Sequence, residues 1–132
     1  MDIKSLILEF AQALGGISKH KRDFWILEVP MAGGGTVTVF IRLNRDEDHG
    51  AVLVFFTQIG CLPHDETDTA RYRRYLEINK VLLYSRIALL GERVVILAVA
   101  GETFDEDIML EMVHEVVYAG ARLGKESAEQ CG

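Results

Sequence analysis

The chain has 132 residues, 49% of them apolar and 26% charged, enough for one domain with a buried core and too apolar for a disordered segment. Its 20 acidic and 14 basic residues leave a net charge of −6, which argues against the broad basic footprint of a general nucleic-acid binder. The two cysteines, Cys61 and Cys131, are too few for a disulfide framework and fit a reducing, cytoplasmic compartment.

Ile3, Leu6, Ile7, Phe10 and Leu14 recur at helical spacing, which predicts an amphipathic helix over 2–14 stopped by Gly15-Gly16. This apolar run follows an acid at position two and lacks a cleavage pattern, so it does not read as a secretory signal. Residues 18–23 read as a polar connector. A short strand over 24–29 ends at Pro30. The glycines Gly33 to Gly35 precede a strand and lack a following Lys-Ser/Thr, so they do not make a phosphate-binding loop. The strand over 36–43 alternates, with Val37, Val39, Ile41 and Leu43 on one face and Thr36, Thr38, Phe40 and Arg42 on the other. The acidic turn over 44–50 lacks the spacing of a calcium loop. With a third strand over 51–59, the short connections predict an antiparallel meander.

In the second half, Asp65 or Thr67 can cap a helix that runs to about residue 83. Tyr72, Tyr75, Leu76, Asn79, Leu82 and Leu83 form its inner stripe. Strands over 84–90 and 93–99 are joined by Gly91-Glu92, which suits a type II′ turn. Thr103 and Glu106 form a capping box for the last helix. Met109, Met112, Val113, Val116, Val117 and Leu123 line its apolar face, and Gly124 is expected to end it. Residues 78–100 are apolar enough to raise a membrane span, but Lys80, Arg86, Glu92 and Arg93 interrupt them. The expected fold is α+β in the order α-β-β-β-α-β-β-α, a curved antiparallel sheet packed with helices. One domain over 1–124 precedes a flexible tail over 125–132.

Catalytic chemistry is not legible. His20, His49, His64 and His114 are scattered, and Cys61-x-x-His64 lacks the second pair that a closed zinc site needs. No nucleophile elbow occurs. The acidic clusters at 46–48, 65–68 and 105–107 each have a structural use as turn or cap. No catalytic residue, cofactor or metal ligand is assigned. Arg71, Arg73 and Arg74 read as a solvated helix face. Aromatic and basic residues do not interleave along the strands as a single-strand nucleic-acid platform requires.

The last hairpin carries the functional signal. Ile87 and Leu89 face opposite to Ala88 and Leu90, and Val94 and Ile96 opposite to Val95, Leu97 and Val99, so both faces are apolar. An antiparallel sheet with one wet face alternates more cleanly. Either helices cover both faces, or one face meets a second protomer or a protein ligand. Trp25, Leu27, Phe40, Phe55 and Leu97 are the candidate partner-binding residues. Tyr72, Tyr75, Asn79, Ile87, Leu89 and Ile96 are the candidate dimer interface.

The element order, with Leu76-x-x-Asn79 on the middle helix, the hairpin over 84–99 and the helix over 104–123, resembles the YbjN-like and type III secretion chaperone-like group. Asn79 looks like an asparagine found near this helix end in that group. The resemblance implies a one-domain chaperone-like fold, commonly homodimeric, that holds a segment of a client protein on apolar surface. The second reading is a ligand-responsive regulator with a small-molecule pocket under the meander. The third is an enzyme whose site is assembled from scattered acids and histidines.

Overall fold

In a computed structural model, which describes residues 2–48, 50–61, 69–101, 103 and 105–127, the chain forms three helices and one six-stranded antiparallel sheet. The elements are α1 (Ile3–Leu14), β1 (Ile17–His20), β2 (Trp25–Pro30), β3 (Thr36–Asp46), β4 (Gly50–Cys61), α2 (Thr69–Asn79), β5 (Arg86–Leu90), β6 (Arg93–Gly101) and α3 (Glu106–Ser127). The sheet order is β1-β2-β3-β4-β6-β5. This is the expected α+β class with one more strand. The connector over 18–23 overlaps β1, because Ile17 to His20 pair in register with Glu28 to Trp25. Its polar composition hid it, as suits an edge strand wetted on both sides.

Helix α1 starts where the Asp2 carboxylate accepts from the Lys4 backbone N–H and the Ser5 hydroxyl. The Ser5 hydrogen bond is the main reason the Asp2 pKa is lowered. Gly15 ends the helix at φ 68°, a left-handed conformation that glycine adopts without a Cβ clash. Gly91 has φ 65°, no non-glycine residue among those described has positive φ, and Leu90 pairs directly with Arg93. That matches the expected type II′ turn.

Both ends of α3 differ from expectation. Asp105, not Thr103, caps it, with the Asp105 carboxylate accepting from the Ile108 N–H at 2.8 Å. Gly124 lies inside the helix, which continues to Ser127. The middle helix ends at Asn79 rather than near 83, and residues 80–85 form a turn-rich link to β5. The proposed caps Asp65 and Thr67, His49, His64, Phe104, Cys131 and the tail beyond 127 lie outside the described residues. Cys61 is disulfide-bonded, against the expectation of reduced thiols.

The core lies on one side of the sheet. Leu27, Val39, Ile41, Phe55 and Ile96 point into it, against Phe10 of α1 and Met109, Met112, Val113 and Val116 of α3. Phe10 meets Phe55 edge to face at 6.1 Å between centroids, a favoured aromatic geometry. Helix α3 crosses β4 so closely that a Cβ on Gly120 would stand 2.5 Å from Thr57 Cγ2. The β3–β4 ladder stops at Phe40↔Phe56, and the β4–β6 register shifts between Gln58 and Gly60. Beyond that point the Thr57 hydroxyl bridges the gap by donating to the Thr38 carbonyl at 2.7 Å. A bulge of this kind bends its strand, and it lies just past the point where β4 stops pairing with β3. Among the described residues no helix is long and apolar enough to cross a membrane.

Candidate functional site

Strand alternation assigns the opposite sheet face without ambiguity. Lys19 pairs with Ile26, Ile26 with Phe40, Phe40 with Phe56, Phe56 with Leu97, and Leu97 with Arg86. These residues form one row across all the strands, apolar in the middle and cationic at both edges. The adjacent row runs Arg42, Val54, Val99. None of Ile26, Phe40, Val54, Phe56, Leu97 or Val99 joins the core cluster, whose helical members all lie on the other side. Most of them are half-buried by one another, and Val99 is 44% exposed. Val95, also on this face, is buried. Among the described residues, none of the three helices packs on the row Ile26–Phe40–Phe56–Leu97, while Val95 at one end of the face is covered.

Three phenylalanines form its centre. Phe24 lies 5.8 Å from Phe40, and Phe40 stacks on Phe56 at 5.3 Å with 20° between ring planes. Cross-strand aromatic pairs stabilise a sheet by roughly 0.2–1 kcal/mol each, which accounts for their half-buried state without a helix above them.

Of the partner-binding candidates, Phe40 and Leu97 lie in this row. Leu27 and Phe55 do not: each is 0% exposed beneath the helices, because even spacing sends them to the core face. Trp25 also turns to the helix side, half-buried and stacked on His20 at 4.6 Å. Sequence reasoning missed Phe24, Ile26, Val54 and Phe56. The signal was present in the alternation of β4, where Val52, Val54 and Phe56 are as apolar as Leu53 and Phe55. The same alternation places Arg42 beside Phe40, so basic and aromatic residues do share a face here, contrary to the sequence reading.

The dimer candidates divide in the same way. Ile96 is 0% exposed and Tyr75 is buried, so neither offers surface. Tyr72 and Ile87 are half-buried, and Leu89 is exposed. Asn79 has a different task. Its carboxamide accepts from the Ile87 N–H at 2.7 Å and donates to the Ile87 carbonyl at 3.4 Å. It thereby occupies both backbone groups of one residue of edge strand β5, as a neighbouring strand would. The exposed apolar residues near this edge are instead Leu76, Val81, Leu83, Leu89 and Leu90.

The densest polar network is structural. The Glu115 carboxylate on α3 accepts from the N–H groups of Leu83, Tyr84 and Ser85 and from the Ser85 hydroxyl. Burial pushes the Glu115 pKa up, and these hydrogen bonds together outweigh it, so the net shift is downward. The Tyr84 hydroxyl donates to Glu111 at 2.6 Å, which raises the Tyr84 pKa. Among the described residues no three His, Cys, Asp or Glu side chains gather as a metal site requires. No family model and no curated protein matches the chain.

Proposed function

We propose that the chain is a non-enzymatic protein-binding module that holds a segment of a partner or client on the open sheet face, as YbjN-like and secretion-chaperone-like proteins do. The observation that carries this is the apolar row Ile26–Phe40–Phe56–Leu97 on a face without a helix, since large exposed apolar patches mark interaction surfaces. Face filling suits the site better than strand addition at β5, where Asn79 holds the backbone of Ile87. The test is calorimetric titration with reduced, carboxymethylated α-lactalbumin, a permanently unfolded client. Phe40→Asp and Leu97→Asp are expected to weaken binding about tenfold or more while the thermal midpoint falls by no more than about 5 °C. Equal binding by wild type and both variants overturns the reading.

A homodimer belongs to the same proposal, through the exposed residues of α2 and the hairpin edge. So does a cytoplasmic setting, against which the disulfide at Cys61 weighs. Rapid alkylation of thiols at cell lysis decides the setting: a labelled Cys61 fits a reducing compartment, and a protected Cys61 an oxidising one. The ligand-responsive reading has one observation in its favour, a cleft of about 440 Å³ at the β3–β4 opening lined by Met31, Gly35, Thr38, Thr57, Gln58 and Gly120 among others. That volume falls in the range of small-molecule sites. Native mass spectrometry of the purified protein showing a retained small molecule supports this alternative.

A further inference from the structure

The open sheet face carries a charge pattern that its apolar row does not explain. Lys19, Arg42 and Arg93 are exposed on its strands, and Arg86 closes the row at the β5 edge. Against these cations, the described strand side chains of this face set one acid, Glu28, already held by Lys19 at 3.2 Å. The Arg86 guanidinium is partly engaged by the carbonyls of Leu82 and Ser85. Arg42 and Arg93 have no hydrogen-bond or ion-pair partner among the described residues. The chain as a whole is at −6, and Asp105, Glu106, Asp107, Glu111 and Glu115 lie on or beside α3, across the sheet. Among the described side chains, cations thus outnumber acids on this face of an otherwise acidic molecule.

We infer that the occupant of this face is a segment of a partner protein that combines apolar residues with acidic ones. This rests on the protein-binding reading and adds the partner's chemistry. Apolar side chains of the segment cover the phenylalanine row, and its carboxylates reach the exposed guanidiniums of Arg42 and Arg93, whose planar forks match a carboxylate. A second copy of the chain fits poorly. Two such faces in a two-fold contact would set each cation against its own kind in a desolvated interface. Single-stranded nucleic acid also fits poorly. Base stacking uses ring faces, and the faces of Phe40 and Phe56 lie against each other.

The experiment measures fluorescence anisotropy of three labelled amphipathic peptides of about 18 residues, built from Leu with Glu, Leu with Gln and Leu with Lys. The Leu/Glu peptide is expected to bind about tenfold tighter than the Leu/Lys peptide, with Leu/Gln between them. Added salt is expected to narrow the difference. Arg42→Glu is expected to remove most of the difference between the Leu/Glu and Leu/Lys peptides without changing the circular dichroism spectrum. Equal affinity for all three peptides overturns the acidic-partner inference and leaves the protein-binding reading standing. Binding of none of them overturns both. Displacement of the Leu/Glu peptide by a lower concentration of a thymidine oligonucleotide overturns the inference in favour of a nucleic-acid surface.

Discussion

Glu115 shows how one side chain holds an irregular segment in place. Leu83, Tyr84 and Ser85 lie between α2 and β5 with their N–H groups turned to one carboxylate. Residues in such a link leave backbone donors that need partners. Glu115→Ala is expected to destabilise the fold by about 2 kcal/mol, read from chemical denaturation, because several donors lose their acceptor at once. The pH dependence follows from the same bonds. The Glu115 pKa is lower in the folded chain than the ordinary glutamate value of 4.5. Its contribution is therefore fully present above that value and is lost as pH falls through the folded pKa. Glu115→Gln is expected to flatten this part of the acid limb in a stability-versus-pH series. An unchanged acid limb contradicts the assignment.

At the scale of elements, two contacts set how helix and sheet meet. Gly120 lets α3 sit directly on Thr57, whose hydroxyl is committed to the Thr38 carbonyl. Gly120→Ala gains helix propensity, yet its Cβ meets a short branched side chain with little freedom to move. A net loss of about 1–3 kcal/mol in denaturation is expected, as for other overpacked sites. Asn79 closes the β5 edge. Asn79→Ala is expected to leave the Ile87 backbone open and to raise the aggregated fraction in size-exclusion chromatography. Regular elements were legible because their side chains repeat: α1 through Leu6, Ile7 and Phe10, and β3 through Val37, Val39 and Ile41. β1 was not, since Ile17-Ser-Lys-His buries little and owes its conformation to pairing with β2. The end of α2 differs because Leu82 and Leu83 continue the helical spacing, while Glu115, distant in sequence, holds the N–H groups of Leu83, Tyr84 and Ser85 in the link that follows.

Among the described residues the molecule is a sheet with its helices on one face and an apolar row on the other. Half of that asymmetry was legible. The hairpin showed apolar residues on both faces, but the sequence alone could not say which face the helices take. Phe55 and Leu97 looked equally available until register placed one under α3 and the other across the sheet. Leu76, Val81 and Leu83 are exposed on α2 and the link that follows it, away from the sheet rows. If the chain dimerises there, light scattering at micromolar concentration gives twice the chain mass, and Leu83→Arg returns it to one. A single chain mass for the wild type contradicts the dimer.

The most direct measurement is methyl NMR during titration with reduced, carboxymethylated α-lactalbumin, because methyl groups report the two faces of one strand separately. Shifts or broadening are expected at Val52, Val54, Leu97 and Val99, with Val39, Val113 and Val116 unmoved. Changes confined to Leu76, Val81 and Leu83, or no change at the open-face methyls at saturating client, would contradict it.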